Sequence, residues 1–274
     1  MRFLKLFNPV LGLKIISNNF DLLLQLVKRN ISSRYKGSTL GVLWGLVQPL
    51  MMLCVYTFVF SIIFKARWGI NTDENKAAFA IIMLCGLAVF NIFTECVNGS
   101  CSLIINNPNY VKKVIFPLEI LPVAFSLATT VLGLIWFFIL FIGAAMLLNG
   151  LSWTMLLLPV TIIPLILTSC GLSLFVASLT VYLRDTPHFV GIITQMLFFM
   201  TPIIYPIEAV PEKYRWFLQF NPLSMIIEQT RCFFLYGKLP NFALCGVLFL
   251  ISAVIFQLGL IWFIKTKRGF ADVL

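Results

Sequence analysis

Chemistry-bearing side chains are scarce in this sequence, and Glu95 is the most conspicuous of them. It stands inside a long apolar run, in NIFTECVNGS, with Asn91, Thr94 and Asn98 nearby. A carboxylate so placed either marks a functional site, because its burial in lipid is costly, or pairs with a basic group of the N-terminal helix or a neighbouring span. A second group, Phe198, Phe199 and Tyr205 in MLFFMTPIIYP, offers aromatic faces on which sugar rings stack; contact with lipid suits the same residues equally well. Glu228 and Arg231, three apart, are spaced for a local ion pair on a helix. Arg184 and Asp185 read as a solvated helix end or a partner contact.

Several kinds of chemistry lack the residues they need. The one histidine, His188, has no second imidazole at ligand spacing and no HExxH around it, so neither a metal site nor a catalytic set is expected. The adjacent carboxylates Asp73 and Glu74 fall in a hydrophilic turn. A phosphate-cradling GxxxxGK[ST] loop is missing: YGKLP, at 236–240, lacks both the upstream glycine and the Ser or Thr, so the chain is not expected to cradle ATP by that route, and any energy for work must come from elsewhere. The seven cysteines lie mostly in apolar runs without a CxxC pair and read as small packing residues. The net charge of +10 is not carried by any soluble basic domain, so nucleic acid is not an expected partner.

The elements that must position these groups are set by composition. Of 274 residues, 60% are hydrophobic and 11% charged, against roughly 25% charged in a soluble domain. This predicts an all-α integral membrane protein, a single domain over 1–274. Apolar runs at 40–64, 77–104, 119–148, 153–183, 189–205 and 242–264 give six transmembrane helices, since about 20 residues cross the hydrocarbon core and no period-2 pattern suggests a barrel. Thirteen Lys and Arg fall on the side of the N-terminus and seven on the other, which places both termini in the cytoplasm. Pro9, Asn18 and Asn19 interrupt the N-terminal apolar residues, and no cleaved signal is expected.

Residues 1–38 precede the first span. There Phe20, Leu23, Leu24, Val27 and Ile31 oppose Asp21, Gln25, Lys28, Arg29 and Ser32, which predicts an amphipathic helix, capped by Asn18 or Asn19, lying in the headgroup layer or packed on a soluble partner. Gly37 and Gly41 permit the bend into the first span. The outer segment 206–240 is too apolar for a solvated loop. It predicts two short re-entrant helices, 211–220 and 223–235, divided by Asn221-Pro222.

Four stretches in this order, SRYKGSTLGVLWGLVQPLMMLCVYTFVFSIIFK (33–65), NNPNYVKKVIFPLEILP (106–122), RDTPHFVGIITQMLFFMTPIIYP (184–206) and NPLSMIIEQTRCFFLYG (221–237), resemble the membrane subunit of ABC transporters that export lipid-linked polysaccharides. O-antigen, capsule and teichoic acid exporters belong to that group, and the resemblance covers nearly the whole chain. It implies a homodimeric channel in the bacterial cytoplasmic membrane, bound to two copies of a cytoplasmic ATPase that holds ATP and Mg, with no cofactor in this chain. The substrate it implies is a glycan on undecaprenyl diphosphate or, in capsule systems, on a phospholipid. ATPase contact would fall to Lys28, Arg29, Asn109, Tyr110, Lys112 and Lys113, and an outer gate to a segment holding Tyr214, Trp216, Asn221, Glu228 and Arg231.

At the bend, Arg34, Tyr35 and Lys36 would meet the diphosphate of an incoming glycolipid, or simply anchor the chain at headgroup depth. Glu95, Phe198, Phe199 and Tyr205 become candidates for lining the channel. Thr201 stands where Ser is expected, and either hydroxyl bonds back to the preceding helical turn. Two alternatives are a small-molecule or drug permease of the same architecture and, lacking a catalytic set, a membrane glycosyltransferase.

Overall fold

The structure is a computed structural model that describes residues 11–34, 36–59, 76–112, 116–147 and 152–274. Every regular element among the described residues is helical. An N-terminal arm of α1 (Leu11–Asn18) and α2 (Phe20–Arg34) leads into α3 (Trp44–Tyr56) and α4 (Lys76–Cys101). After the single turn of α5 (Pro108–Val111) come α6 (Ile120–Leu147), α7 (Leu158–Tyr182) and α8 (Thr186–Met200). Two shorter helices, α9 (Glu212–Phe220) and α10 (Pro222–Phe234), precede α11 (Phe242–Thr266) and the terminal turn α12 (Phe270–Val273).

Among the described residues, four stretches are long and apolar enough to cross a membrane: Phe79–Cys101, Ile120–Met146, Trp153–Tyr182 and Phe242–Val273. The chain is therefore a multi-pass membrane protein. The first and fifth expected spans appear as shorter apolar helices, Trp44–Val59 and Thr186–Met200. The 15 residues of α8 rise only about 23 Å against a hydrocarbon core of about 30 Å. Proline sets both its ends: Pro187 sits in its first turn, and Pro202 follows Thr201, whose backbone is extended. Hence α8 stops before Tyr205, although the apolar pattern runs on. The end of the first run, from residue 60, lies outside the described residues.

Small and hydroxyl side chains bring the long helices together, as expected where lipid removes the hydrophobic drive between them. Thr168 of α7 donates to Ser252 of α11 at 3.0 Å. Gly171 and Gly259 of the same pair meet backbone to backbone. On the other side of α7, Ser126 donates to Ser173 and Ser173 to the Cys96 carbonyl, both at 3.0 Å, so one chain of hydroxyls ties α6, α7 and α4. Cys85, Cys96, Cys101, Cys170 and Cys245 are buried free thiols, as their reading as packing residues requires. Lys267, just past α11, bonds Glu119 at the mouth of α6 at 2.8 Å, while Tyr182 donates to the Thr266 carbonyl at 2.7 Å. Phe270 is buried against Phe263 and Tyr182 beneath these contacts.

The N-terminal arm differs in detail from its sequence pattern. The seam of α2 is narrow: Leu23 and Leu26 are buried in a cluster with Leu121, Ala124, Leu174 and Phe263, while Phe20 and Leu24 stay exposed. A helix meets a neighbour along one stripe, and residues flanking that stripe are left for solvent or lipid. Asn19 does hold the N-cap position, its carbonyl accepting from Leu23 at 2.9 Å, but its side chain turns back to the Ile15 carbonyl and closes α1. Gly37 and Gly41 take φ of 89° and 51° at the bend, a region that favours glycine.

Candidate functional site

The site begins where α2 ends. Arg34, its last residue, forms an ion pair with Glu95 of α4, and the two side chains are 32% and 40% exposed. They border a chamber of about 180 Å³ whose walls also include Gln48, Asn91, Thr94 and Trp136. Asn91, Thr94 and Glu95 face it together because they lie one helical turn apart on α4. The Asn91 amide is held by the Leu87 carbonyl at 2.9 Å, whereas the Thr94 hydroxyl oxygen is buried with no hydrogen-bond partner among the described residues.

Asn91 and Thr94 also wall a second cavity, of about 390 Å³, formed with Tyr56, Phe90, Gln195, Phe198 and Phe199. Here α3, α4 and α8 contribute a cluster of rings. Tyr56 stacks on Phe198 at 5.9 Å between centroids, Phe90 meets Phe198 edge-on at 5.3 Å, and Phe199 does the same at 5.3 Å. Asn98 fixes α8 to α4 by donating to Thr194 at 3.3 Å. The arrangement is thus an ionic chamber and an aromatic cavity side by side, with Asn91 and Thr94 in the wall between them. It can hold an anion at one end and a polyhydroxylated ring at the other.

Of the residues expected to take part, Arg34, Glu95, Phe198 and Phe199 are brought together. Tyr35 lies outside the described residues, and Lys36 is exposed on the bend. Tyr205 lines neither cavity; its hydroxyl donates to the Phe199 carbonyl at 3.0 Å. Arg29 donates to the Tyr110 hydroxyl at 2.6 Å and lies 5.7 Å from that ring's centre, so α2 and α5 form one surface with the exposed Lys28, Asn109 and Lys112. Lys113 lies outside the described residues.

In the segment 206–240, α9 exposes Tyr214 and Trp216, while α10 is largely buried against α4 and α7. Asn221 caps α10 through Leu223 at 3.0 Å and donates to Thr201 at 3.0 Å; Thr201 in turn donates to the Leu197 carbonyl at 2.7 Å, the back-bond expected of it. Arg231 pairs with Glu228 at 2.8 Å, as spacing suggested. It also donates to the Pro202 and Ile203 carbonyls at 2.7 and 2.9 Å, contacts that spacing gave no hint of. Tyr56, Phe90, Gln48, Gln195 and Trp136 were likewise not anticipated, and the two glutamines, polar breaks in apolar runs, were the ones that carried a signal.

Residues 21–235 match the family of ABC-2 type transporters. The chain belongs to that membrane family. It is a transport subunit, and the missing phosphate-binding loop agrees with ATP hydrolysis on another protein, as is general in this family. Among curated relatives, the O-antigen export system permease protein RfbA of Klebsiella pneumoniae is 27% identical over 257 residues, 93% of this chain and 95% of the relative. RfbA of Myxococcus xanthus is 27% identical over 256 residues, covering 92% and 94% of the two chains. The polysialic acid transport protein KpsM of Escherichia coli is 25% identical over 215 residues, 74% of this chain and 77% of the relative.

Proposed function

We propose that this ABC-2 chain is the channel-forming permease subunit of an ATP-driven exporter that moves a lipid-linked polysaccharide across the bacterial cytoplasmic membrane. The substrate is a glycan on a polyprenyl diphosphate such as undecaprenyl diphosphate. Two copies of the chain work with two copies of a cytoplasmic ATPase. In this reading α3 and α8 are the first and fifth of six spans, both termini are cytoplasmic, and α9 with α10 forms a re-entrant outer gate. The carrying observation is the ionic chamber at Arg34 and Glu95 lying beside a cavity lined by Tyr56, Phe90, Phe198 and Phe199, with Asn91 and Thr94 common to both. It lies in a chain related along most of its length to O-antigen export permeases.

The test is complementation. A strain lacking the gene loses surface polysaccharide, and the wild-type gene restores it. Each aromatic face contributes about 0.5–1.5 kcal/mol to stacking, so Tyr56→Ala with Phe198→Ala lowers surface polymer roughly tenfold at equal membrane abundance. Unchanged polymer with altered drug efflux would assign the chain to small molecules instead.

The joint surface of α2 and α5 is the ATPase contact. Arg29→Ala with Tyr110→Ala removes the contact that holds the two elements together, and recovery of the ATPase on a tagged permease falls several-fold while insertion is unchanged. Pull-down from solubilised membranes reads this directly.

A further inference from the structure

Outside the ionic chamber, two of the helices that wall it, α3 with the turn before it and α6, form an open apolar groove of about 490 Å³ that includes Leu43, Leu46, Val131, Leu134 and Phe138. The two compartments abut: Gly45 and Gly133 border the chamber, while their sequence neighbours Leu46 and Leu134 border the groove. Three environments therefore follow one another across the bundle, first apolar, then ionic, then aromatic. A polyprenyl-diphosphate glycan has the same order of parts.

We infer that the crevice between α3 and α6 is a side door that binds the prenyl diphosphate of the substrate, with the Glu95 carboxylate holding the place of the diphosphate on Arg34 until substrate arrives. The inference rests on the glycolipid reading above and names its point of recognition. The prenyl chain lies in the groove beside Leu46 and Leu134, and the diphosphate takes the Arg34 guanidinium, which suits two oxygens of one anion. The buried Thr94 hydroxyl oxygen, without a partner among the described residues, stands on the wall shared with the aromatic cavity, where the first sugar follows.

Glu95 gives the door its selectivity. A doubly charged diphosphate outcompetes the single carboxylate for Arg34, while an ordinary phospholipid, with one phosphate charge, gains little by the exchange. Because the pair is partly exposed, its own strength is modest, about 0.2–1 kcal/mol, and substrate can open it.

The experiment uses the full chain in phosphatidylcholine nanodiscs with radiolabelled farnesyl diphosphate as the probe. Arg34→Gln weakens binding tenfold or more, as loss of a hydrogen bond to a charged group predicts. Glu95→Gln tightens it about two- to fivefold, the strength of the competing pair. Both substitutions break one ion pair, so a purely structural role would move binding in the same direction for both, and that result would overturn the proposal. Leu46→Asn with Leu134→Asn weakens the farnesyl probe but leaves competition by inorganic pyrophosphate unchanged; equal loss of both would remove the prenyl chain from the groove. Displacement of the probe by phosphatidylglycerol as readily as by a prenyl diphosphate would reassign the pair to lipid anchoring. Binding is read without ATPase or export, and complementation reads export without binding, so this proposal and the functional reading fail separately.

Discussion

Gly259→Leu yields no monodisperse folded protein. A Cβ on Gly259 would stand 2.1 Å from the Gly171 carbonyl oxygen, 2.8 Å from its carbon and 3.0 Å from its Cα. The reciprocal Cβ on Gly171 would stand 2.7 Å from the Ile255 oxygen and from the nitrogen and Cα of Phe256. These are main-chain atoms of continuous helices, so relief requires α7 and α11 to move apart as bodies. Separation breaks the Thr168 to Ser252 bond on one side of the crossing and strains the Tyr182 to Thr266 bond on the other. In lipid, close packing and such bonds are most of what holds two helices together. Overpacking an ordinary core costs about 1–3 kcal/mol, and a clash with backbone exceeds that range. Gly259→Ala places the same Cβ and is destabilised in the same direction. Gly246 of α11 has nothing within 4 Å of its Cβ position, so Gly246→Ala is neutral or raises Tm, since a mid-helix glycine costs about 0.5–1 kcal/mol relative to alanine. Size-exclusion chromatography and thermal unfolding in detergent separate the three variants.

This crossing illustrates what the sequence withholds. Both α7 and α11 are apolar nearly all round, so no amphipathic stripe says which face meets which neighbour. By contrast, polar residues inside apolar runs announce their positions. Glu95 stood out with polar Asn91 and Thr94 nearby, and a basic group of the N-terminal helix was a legible partner for it; that the three share one wall of a chamber emerged from the structure. The bend at Gly37 and Gly41 and the break at Asn221-Pro222 were legible because they rest on local backbone chemistry. The stacking of Tyr56 on Phe198 joins residues far apart in the chain, and each ring alone suited lipid as well as cavity. The same applies to Phe20 and Leu24, whose pattern matched Leu23 but whose place beside the seam depends on where α6 and α7 stand.

Arg231→Leu destabilises the protein by about 3–5 kcal/mol, the range seen when one partner of a buried charged network is removed. Arg231 is 0% exposed, on the inner face of α10. Its guanidinium spans three acceptors, the Pro202 and Ile203 carbonyls and Glu228, at 2.7, 2.9 and 2.8 Å. The carbonyls belong to the turn that follows α8, where Pro202 interrupts the helical ladder and leaves acceptors that the helix cannot satisfy. Each buried carbonyl left without a donor costs about 1–3 kcal/mol. The guanidinium fits because α4 presents Gly86 opposite: a Cβ there would lie 3.1 Å from Nη2 and 3.3 Å from the Ile203 Cα. Arg231→Lys keeps the charge but offers a compact ammonium in place of a planar fork, and its loss falls between those of wild type and Arg231→Leu. Adding Glu228→Gln to Arg231→Leu recovers part of the loss by removing the stranded carboxylate. Cys85, next to Gly86 and fully buried, reports the local change. In a protein whose other cysteines are replaced by serine, maleimide labels Cys85 faster in Arg231→Leu than with Arg231 intact, because the turn at 201–205 is no longer held against α4. If Tm falls while Cys85 stays protected, Arg231 stabilises the bundle without pinning that turn, and its place in an outer gate is lost.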